Sequence, residues 1–430
     1  MIHIEHLIVG GGVAGIYLGL QLHQKQIPFV LFEKSTSNHV GKIFTKELMV
    51  PSGKDGRLKE FHFELGPSVF HTNQPKLHSL LQQLNLDTSI KVLDTVKETH
   101  DVVYPGFTPE QASLKFQKLK RRLHNASKFA TFETIDQLAQ RVLPTKEYAM
   151  LKSCWNCWYE NNQMNAKAYF ESEDKEGKYC ILQGGLQQIT NQAKQLFQHA
   201  YRQGVTILSI QQIDEGFLVQ TSQLNVVQDY FVKHLYLCLS IDDYASIRLG
   251  NLTKVKEYLQ HAKSVSSMRF YTIFKEPIQH IPDSITGKIE SRWILKYNKR
   301  IYLGPYVDGP SADYMSGLTV QQIQSKVCFD LKQSSSNLFD SVGAYWKDAF
   351  TVLSPSYFMS YLKPFQLQSN LFCTTLPDPL HQAWMEGHLF DLPPQYISLV
   401  EETMKKTLQL QTEEQTPQNK PLQKLHITIM

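Results

Sequence analysis

The sequence is poor in cysteine and lacks long apolar runs, and each shortage excludes a class of protein. Its 430 residues include only six cysteines, scattered along the chain, too few for a fold held together by disulfides. No segment approaches the roughly 18 apolar residues of a membrane-spanning helix, and no pattern of a secretory signal peptide is visible. We therefore expect a cytoplasmic chain without a transmembrane segment.

Charge of one sign is not in excess either. The 44 Lys and Arg residues nearly balance the 40 Asp and Glu residues, which leaves a net charge of +4. This balance gives no case for a nucleic-acid partner, so the expected partner is a small-molecule substrate, and a homodimer is left open. Hydrophobic residues make up 42% of the chain, enough for a sizeable core, and the length suits about two or three domains.

Several catalytic and metal-binding motifs are also missing. The 16 histidines show no HExxH spacing, and the chain has no P-loop and no Gly-x-Ser-x-Gly elbow. The pair Cys154-x-x-Cys157 lies in a helical pattern among aromatic residues, without a second pair of ligands nearby. We interpret these two cysteines as core residues rather than a zinc site, and motif spacing predicts no metal.

What the sequence does have is a glycine turn near its start. The apolar run at residues 7–9 leads into Gly10-x-Gly12-x-x-Gly15, which opens a helical pattern, and a second apolar run then ends in Glu33. Strand, glycine turn, helix, strand and acid follow in the order and spacing of a dinucleotide-binding βαβ unit.

Each part of this unit has a physical role. Gly10 permits the tight turn, Gly12 lets the backbone approach a pyrophosphate, and Gly15 lets the helix pack close to the strand. The free N–H groups of the first helical turn, with Val13 and Ala14 as candidates, lie at the positive end of the helix dipole. They are therefore expected to hold the phosphates.

The acid at the end of the second strand indicates which dinucleotide is bound. The carboxylate of Glu33 can accept hydrogen bonds from a ribose diol and would repel a 2′-phosphate, which disfavours NADP. The neighbouring Lys34 is a further candidate for cofactor contact. The unit by itself does not separate FAD from NAD.

Later segments continue in an order that resembles the flavin-dependent amine oxidases, the monoamine and polyamine oxidase family. They are Gly41-Lys42, Leu65-Gly66-Pro67-Ser68, Gly184-Gly185 and Trp384-x-Glu386-Gly387. The similarity extends thinly over about residues 3–405. It implies bound FAD, with further cofactor contacts from Gly41, Lys42, Gly66, Pro67, Ser68, Ile210, Cys373 and Glu386.

The resemblance also implies an α/β fold, α+β overall. A Rossmann-type FAD-binding domain of the glutathione-reductase type would be combined with a second, mixed substrate domain. The FAD-binding domain is expected at residues 1–87, 181–255 and 365–410, the substrate domain at 88–180, mostly helical, and at 256–364, and a C-terminal tail at 411–430.

At the flavin ring the resemblance implies an aromatic cage made by Tyr357 and Trp384, which would orient a substrate amine. These aromatics can equally be interpreted as core residues. Ser356 falls where some family members carry the flavin-linking cysteine, so non-covalent attachment is expected.

Several positions depart from the family pattern, among them Lys42, which replaces an arginine, and three towards the ring end of the cofactor. Arg269 occupies the place of a lysine that is bonded through water to flavin N5. Because arginine stays charged, it cannot relay a proton, although it can anchor a substrate carboxylate. Cys373 replaces part of an Ala-Gly-x-Glu segment, and His388 replaces a small residue after Glu386-Gly387.

The leading hypothesis is an FAD-dependent oxidase. It would oxidise an amine or amino acid by hydride transfer to flavin N5, with oxygen as the final acceptor and with Arg269, Tyr357 and Trp384 at the reacting centre. Two alternatives remain. One is a flavoprotein that acts on a C–C bond, such as a desaturase or a protoporphyrinogen-oxidase-like enzyme, and the other is a degenerate flavin fold that serves as a binding or scaffold module.

Overall fold

The computed structural model describes the chain from residue 1 to residue 373. Residues 38, 53–54, 94–103, 131, 156–157, 174–177, 279–290, 295–299, 354–365 and 369–370 are excepted. None of the helices within this part is long and apolar enough to cross a membrane.

The strands and helices are numbered in chain order. The strands are β1 Ile2–Val9, β2 Val30–Glu33, β3 Thr45–Ser52, β4 Arg57–Glu64, β5 Phe70–His71, β6 Ile90–Val92, β7 Tyr179–Leu182, β8 Tyr201–Gln203, β9 Thr206–Ile213, β10 Gly216–Gln223, β11 Val226–Leu237, β12 Arg248–Leu249, β13 Ala262–Phe274, β14 Ser291–Ile294, β15 Ile301–Asp308, β16 Leu338–Leu353, β17 Gln366–Gln368 and β18 Leu371–Cys373. The helices are α1 Val13–Gln24, α2 Pro75–Gln83, α3 Pro109–Ser127, α4 Ile135–Val142, α5 Thr145–Cys154, α6 Trp158–Asn161, α7 Ala166–Glu173, α8 Gln187–Leu196, α9 Ile241–Ala245, α10 Thr253–His261, α11 Gly309–Ser316 and α12 Val320–Asp330.

The largest sheet is built around β1. Its strand order is β12-β9-β10-β11-β1-β2-β8, with β18 and then β17 attached to β11. The strands β8, β2, β1, β11 and β18 run parallel to one another, whereas β9 and β10 add an antiparallel extension. Both faces of β1 are covered, with Leu7 and Ile8 fully buried, which is why its second half is a continuous apolar run.

The first helix is apolar around most of its circumference because it is enclosed on several sides. Ile16, Leu18 and Leu22 are fully buried, and α1 packs against α2 and α8. The helix starts at the glycine turn, with Gly12 as its N-cap. The chain leaves it through Gln26, whose φ of 57° lies in the left-handed region common just beyond helix C-termini.

A second sheet forms a separate layer with the strand order β14-β15-β13-β16. The long antiparallel strands β13 and β16 form its centre. One core cluster joins this sheet to α11 and α12, and another lies within the helices α3–α7. The β3–β4 hairpin packs its Val50 and Phe63 against Tyr271 and Ile273 of β13. The predicted α/β class with a Rossmann-type domain is confirmed.

The cysteine pair singled out in the sequence lies only partly within the described residues. Cys154 is buried at the end of α5, and its thiol is not in a disulfide. Burial raises the pKa of this thiol, which is typical of a packed cysteine rather than a reactive one. Cys157 lies outside the described residues.

Two histidines lie side by side within the main sheet. His6 of β1 and His234 of β11 are register partners, and their ring centroids are 4.8 Å apart. Burial, with His234 as a second cause, lowers the pKa of His6 to about 3. Burial also lowers the pKa of His234 to about 4. Both rings are therefore neutral in the folded protein near pH 7.

We predict that stability falls as the pH drops from 6.5, the ordinary pKa of histidine, towards 4. In this window the unfolded chain binds protons that the folded chain does not, so the free energy of unfolding decreases as pH falls. Urea unfolding between pH 7.5 and pH 4.5, roughly spanning this window, measures the slope. His234→Gln should make the slope shallower, and His3→Gln, at an exposed site on the same strand β1, should leave it unchanged. Equal slopes in both variants would contradict the assignment.

Candidate functional site

The glycine turn is fixed by close backbone contacts. Gly10 has a φ of +104°, and a Cβ atom there would lie 2.2 Å from the carbonyl oxygen of Cys238. A Cβ atom on Gly15 would lie 2.0 Å from the carbonyl oxygen of Gly10. Only glycine fits at these two positions, because the obstructing atoms belong to the backbone.

Gly12 differs from both of these glycines. Its backbone is extended, with φ −69° and ψ −174°, a conformation that any residue can adopt. Among the described residues, a Cβ atom here would have one heavy atom within 4 Å, the Cα of Gly41 at 3.6 Å. Packing within the described chain therefore does not require a glycine at this position. A group from outside the chain that approaches the backbone would require it.

The start of α1 offers hydrogen-bond donors at the same place. The first bond within the helix runs from Ile16 N–H to the Gly12 carbonyl, at 3.0 Å. The N–H groups of Val13, Ala14 and Gly15 precede it and have no partner within the helix. Gly12 provides no side-chain cap, and Ala14 is half-buried. This helix end is suited to an anion.

Glu33 is held in one orientation by backbone donors. Its Oε2 accepts the Gly11 N–H at 2.8 Å, and its Oε1 accepts the Ser35 N–H at 2.7 Å. The residue is buried at the end of β2, directly beside the glycine turn. Each carboxylate oxygen keeps a further lone pair for a hydroxyl donor, so the structure brings Glu33 and the predicted phosphate-binding turn together.

Tyr201 also belongs to this corner, although the sequence pattern did not select it. A Cβ atom on Gly11 would lie 2.2 Å from the Tyr201 hydroxyl, which is buried and has no hydrogen-bond partner among the described residues. Burial, with the charge of Glu33, raises the pKa of Tyr201. The raised pKa keeps Tyr201 a neutral phenol. Because its hydroxyl occupies the space of a Cβ atom, position 11 requires a glycine.

The second glycine segment packs against the first. Gly41, with φ +59°, brings its backbone close enough that an added Cβ would lie 3.0 Å from the Gly12 Cα. The neighbouring Lys42 donates from Nζ to the Ala349 carbonyl at 3.0 Å and lies 3.9 Å from Asp348 Oδ1. Burial lowers the pKa of Lys42, and the charge of Asp348 opposes that shift. The structure thus pairs Lys42 with a carboxylate of β16.

The turn at residues 65–68 is the third glycine feature. A Cβ atom on Gly66 would lie 1.8 Å from the carbonyl oxygen of Lys42, so the two segments are in backbone contact. Gly66, Pro67 and Ser68 are all half-buried. The predicted cofactor segments at Gly12, Gly41 and Gly66 therefore form one continuous group.

Side chains from the second sheet bind the carbonyl groups of this turn. Arg269 donates from Nη1 to the carbonyl oxygens of Glu64, at 3.2 Å, and of Gly66. Trp346 Nε1 donates to the carbonyl between them, that of Leu65, at 2.6 Å. The Tyr271 hydroxyl also donates to the Glu64 carbonyl, at 3.1 Å. Arg269 thus links the Gly66 turn to the second sheet.

The guanidinium of Arg269 also contacts an aromatic ring and keeps one donor unused within the described chain. It lies over the ring of Tyr306, 4.9 Å from the ring centroid. Its Nε is buried and has no hydrogen-bond partner among the described residues. In this part of the chain the Nε–H is therefore an unused donor, while Nη1 is used by the turn.

Glu64 is a residue of this group that sequence reasoning missed. Its Oε1 accepts the Leu186 N–H at 2.6 Å, and its Oε2 accepts the Thr45 hydroxyl at 3.0 Å. Burial raises the pKa of Glu64 to about 7, against the effect of these hydrogen bonds. The carboxyl group ties the Gly66 turn to Gly185, whose added Cβ would lie 2.3 Å from Thr45 Cγ2.

Two predicted contacts lie apart from this group. Lys34 forms an ion pair with Asp243 and has a largely exposed side chain. Ile210 is fully buried within β9, and its carbonyl accepts the Gly250 N–H at 2.9 Å. Just before β9, the Val205 N–H donates to the Glu33 carbonyl at 3.0 Å.

The C-terminal candidates are not all described. The backbone of Cys373 ends β18 and pairs with Leu237 of β11. Tyr357, Trp384 and Glu386 lie outside the described residues, as do Ser356 and His388, and their assigned roles stay predictions.

Comparison with known proteins supports the architecture. The family of NAD(P)-binding Rossmann-like domains matches residues 8–84. A search of curated proteins by sequence finds no match. Among solved structures, putrescine oxidase bound to putrescine is similar with a TM-score of 0.60 and 12% identity, over 90% of this chain and 96% of that one. Cyclohexylamine oxidase from Brevibacterium oxydans IH-35A gives a TM-score of 0.64, 13% identity and 90% coverage of this chain.

The fold and the glycine group define a Rossmann-type architecture with a second sheet packed against it. More particularly, the chain has the fold of these two amine oxidases. The resemblance found in the sequence is therefore confirmed at the level of fold, and the low identity marks the chain as a divergent example.

We predict that Gly15→Ala destabilises the protein by about 1–3 kcal/mol, because the new methyl group meets a backbone oxygen and α1 must shift. Urea unfolding monitored by circular dichroism measures the loss. Gly317→Ala is the matched control, since its Cβ would lie 3.5 Å from the nearest atom, the Tyr314 carbonyl oxygen, an ordinary contact. Similar stabilities of the two variants would show that the Gly10–Gly15 approach is not a constraint.

Proposed function

We propose that the protein is an FAD-dependent oxidase of amines or amino acids. The observation that carries this proposal is Gly12, a glycine that neither its own conformation nor packing within the described chain requires. It lies at the open start of α1, in a fold shared with two amine oxidases. Close approach of a diphosphate to the backbone supplies the missing reason for the glycine.

The residues of the candidate site match the successive parts of FAD, which are the diphosphate, the ribose and the flavin ring. The N–H groups of Val13 and Ala14 would hold the diphosphate, and Glu33 would accept the ribose hydroxyls. The turn of Gly66, Pro67 and Ser68 would lie towards the ring, with non-covalent attachment. When bound, FAD supplies the acceptor for a hydride from a C–H next to nitrogen, and oxygen reoxidises it.

Arg269 would act by position and charge rather than by proton transfer. Its guanidinium remains protonated, and its bonds to the Gly66 turn fix where the positive charge lies. A fixed cation with an unused Nε–H favours an anionic group, such as the carboxylate of an amino acid. This favours amino acids within the proposed substrate class.

One observation favours the non-enzymatic alternative. Both Lys42 and Arg269, two cations beside the glycine group, are bound to acceptors of the chain itself. A degenerate fold that no longer uses a cofactor would show such internal pairing. Cofactor binding therefore has to be tested before activity.

We predict that the purified wild-type protein binds FAD and that Gly12→Ala weakens this binding at least about tenfold, or about 1.4 kcal/mol. The methyl group would occupy the approach to the backbone. Because Gly12 is an N-cap residue, the free energy of unfolding of Gly12→Ala should differ from that of the wild type by only about 1 kcal/mol or less. Quenching of flavin fluorescence during titration measures the affinity, and urea unfolding measures the stability.

Gly317→Ala serves as the control for this measurement and should bind FAD like the wild type. The proposal fails if the wild-type protein takes up no FAD, which would leave the scaffold alternative. Unchanged FAD affinity in Gly12→Ala would instead show that the group does not approach this glycine.

We further predict that the FAD-loaded protein loses its visible flavin absorption when mixed anaerobically with its substrate. The panel pairs amino acids with the amines formed by their decarboxylation. Because Arg269 offers a fixed cation, the amino acid of a pair should reduce the flavin faster than its amine. Faster reduction by the amine would contradict the role of Arg269. Reduction by neither class would favour chemistry at a C–C bond.

A further inference from the structure

A further cluster of titratable side chains lies on the neighbouring strands β1 and β11. His6 lies in the middle of β1, four residues before Gly10, and His234 is its register partner in β11; both histidines are buried. Burying a polar side chain costs free energy unless it is hydrogen-bonded or bound to an ion. The proposed cofactor does not account for them, because its predicted contacts begin only at the glycine turn that follows β1.

Glu5 completes the group from the exposed side. Glu5, His6 and His234 each offer one ligand atom, and these atoms all lie within 4.8 Å of one another. His234 Nε2 and Glu5 Oε1 are 3.8 Å apart. Ligand atoms around a tetrahedral zinc ion are about 3.3 Å apart, given bond lengths near 2.0–2.1 Å. Small side-chain rotations would therefore close a coordination sphere.

The surroundings match those of a metal centre in two respects. The Tyr236 hydroxyl lies 3.1 Å from His6 Nδ1, and such a contact orients a ligating imidazole. The two imidazole rings also lie side by side, with their centroids 4.8 Å apart, so that one ion can contact a nitrogen atom of each.

We propose that Glu5, His6 and His234 bind a divalent transition-metal ion of the zinc type. Two imidazoles and one carboxylate form a donor set suited to such ions rather than to calcium or magnesium. The fourth position would hold water, because Glu5 is about half exposed, with 51% of its side chain accessible. The ion would join β1 to β11 and stabilise the seam between them.

Lys233 is the group that the ion must displace. Its Nζ lies 2.8 Å from Glu5 Oε1, and the two side chains are equally exposed, at 51%. Exposed ion pairs contribute little to stability, and the long lysine side chain can turn into water. The metal then replaces the ammonium as the countercharge of Glu5.

A second cluster in the chain provides an internal comparison. Glu47, Glu60 and His62 on the β3–β4 hairpin also place one ligand atom each within 4.8 Å of the others. Both carboxylates are more than half exposed, at 65% and 58%, and only one imidazole is present. This cluster is expected to bind zinc-type ions more weakly.

The test uses the full-length protein after treatment with a chelator and dialysis. Titration with Zn²⁺ by calorimetry should show one dominant site, and bound Zn²⁺ should raise the midpoint of thermal unfolding. Co²⁺ should give the visible absorption of a low-symmetry nitrogen–oxygen site. Glu5→Gln and His234→Gln should each weaken Zn²⁺ binding at least about tenfold, and His62→Gln should leave it unchanged.

The exposed position of Glu5 keeps the test valid if His234→Gln does not fold, and far-ultraviolet circular dichroism shows whether it does. The proposal is overturned if the protein binds no Zn²⁺. It is equally overturned if His62→Gln abolishes the dominant site or if Glu5→Gln leaves that site unchanged. The stacked histidines would then be a purely structural pair.

Discussion

The packing of the Gly66 turn against the second sheet depends on three consecutive carbonyl groups that need hydrogen-bond donors. Those of Glu64, Leu65 and Gly66 end the β3–β4 hairpin, and they receive donors from Arg269, Tyr271 and Trp346 of the second sheet. A buried acceptor left without a donor costs about 1–3 kcal/mol. Satisfying all three groups therefore fixes the turn relative to the second sheet.

The position of this turn also sets the position of the glycine segments beside the start of α1. Gly66 touches the Lys42 backbone, and Gly41, next to Lys42, touches Gly12 at the start of α1. These backbone approaches transmit the position of the second sheet to the helix N-terminus. Glu64 extends the same network to the Gly184-Gly185 turn through the Leu186 N–H. The candidate site is thus a set of glycine segments held by side chains from the second sheet.

Arg269 illustrates how far the family pattern could be followed in the sequence. Its position suggested a substitute for a catalytic lysine, and the charge of arginine excluded proton relay. The spacing could not reveal that the guanidinium also binds the Gly66 turn, because Arg269 and Gly66 are 203 positions apart. Trp346 and Leu65 are 281 positions apart. Periodicity shows that such side chains face inwards, but not which backbone group they meet.

The sequence by itself determined the α/β class, the βαβ unit and the order of the glycine segments. These features are encoded locally, because strand, turn, helix and Glu33 follow one another within a short stretch whose spacing sets its geometry. Only the tertiary structure decided that Tyr201 closes the corner beside Glu33, that Asp348 pairs with Lys42, and that His6 and His234 lie together. Each of these contacts joins residues from different strands or loops, so it depends on strand order and on how the two sheets pack.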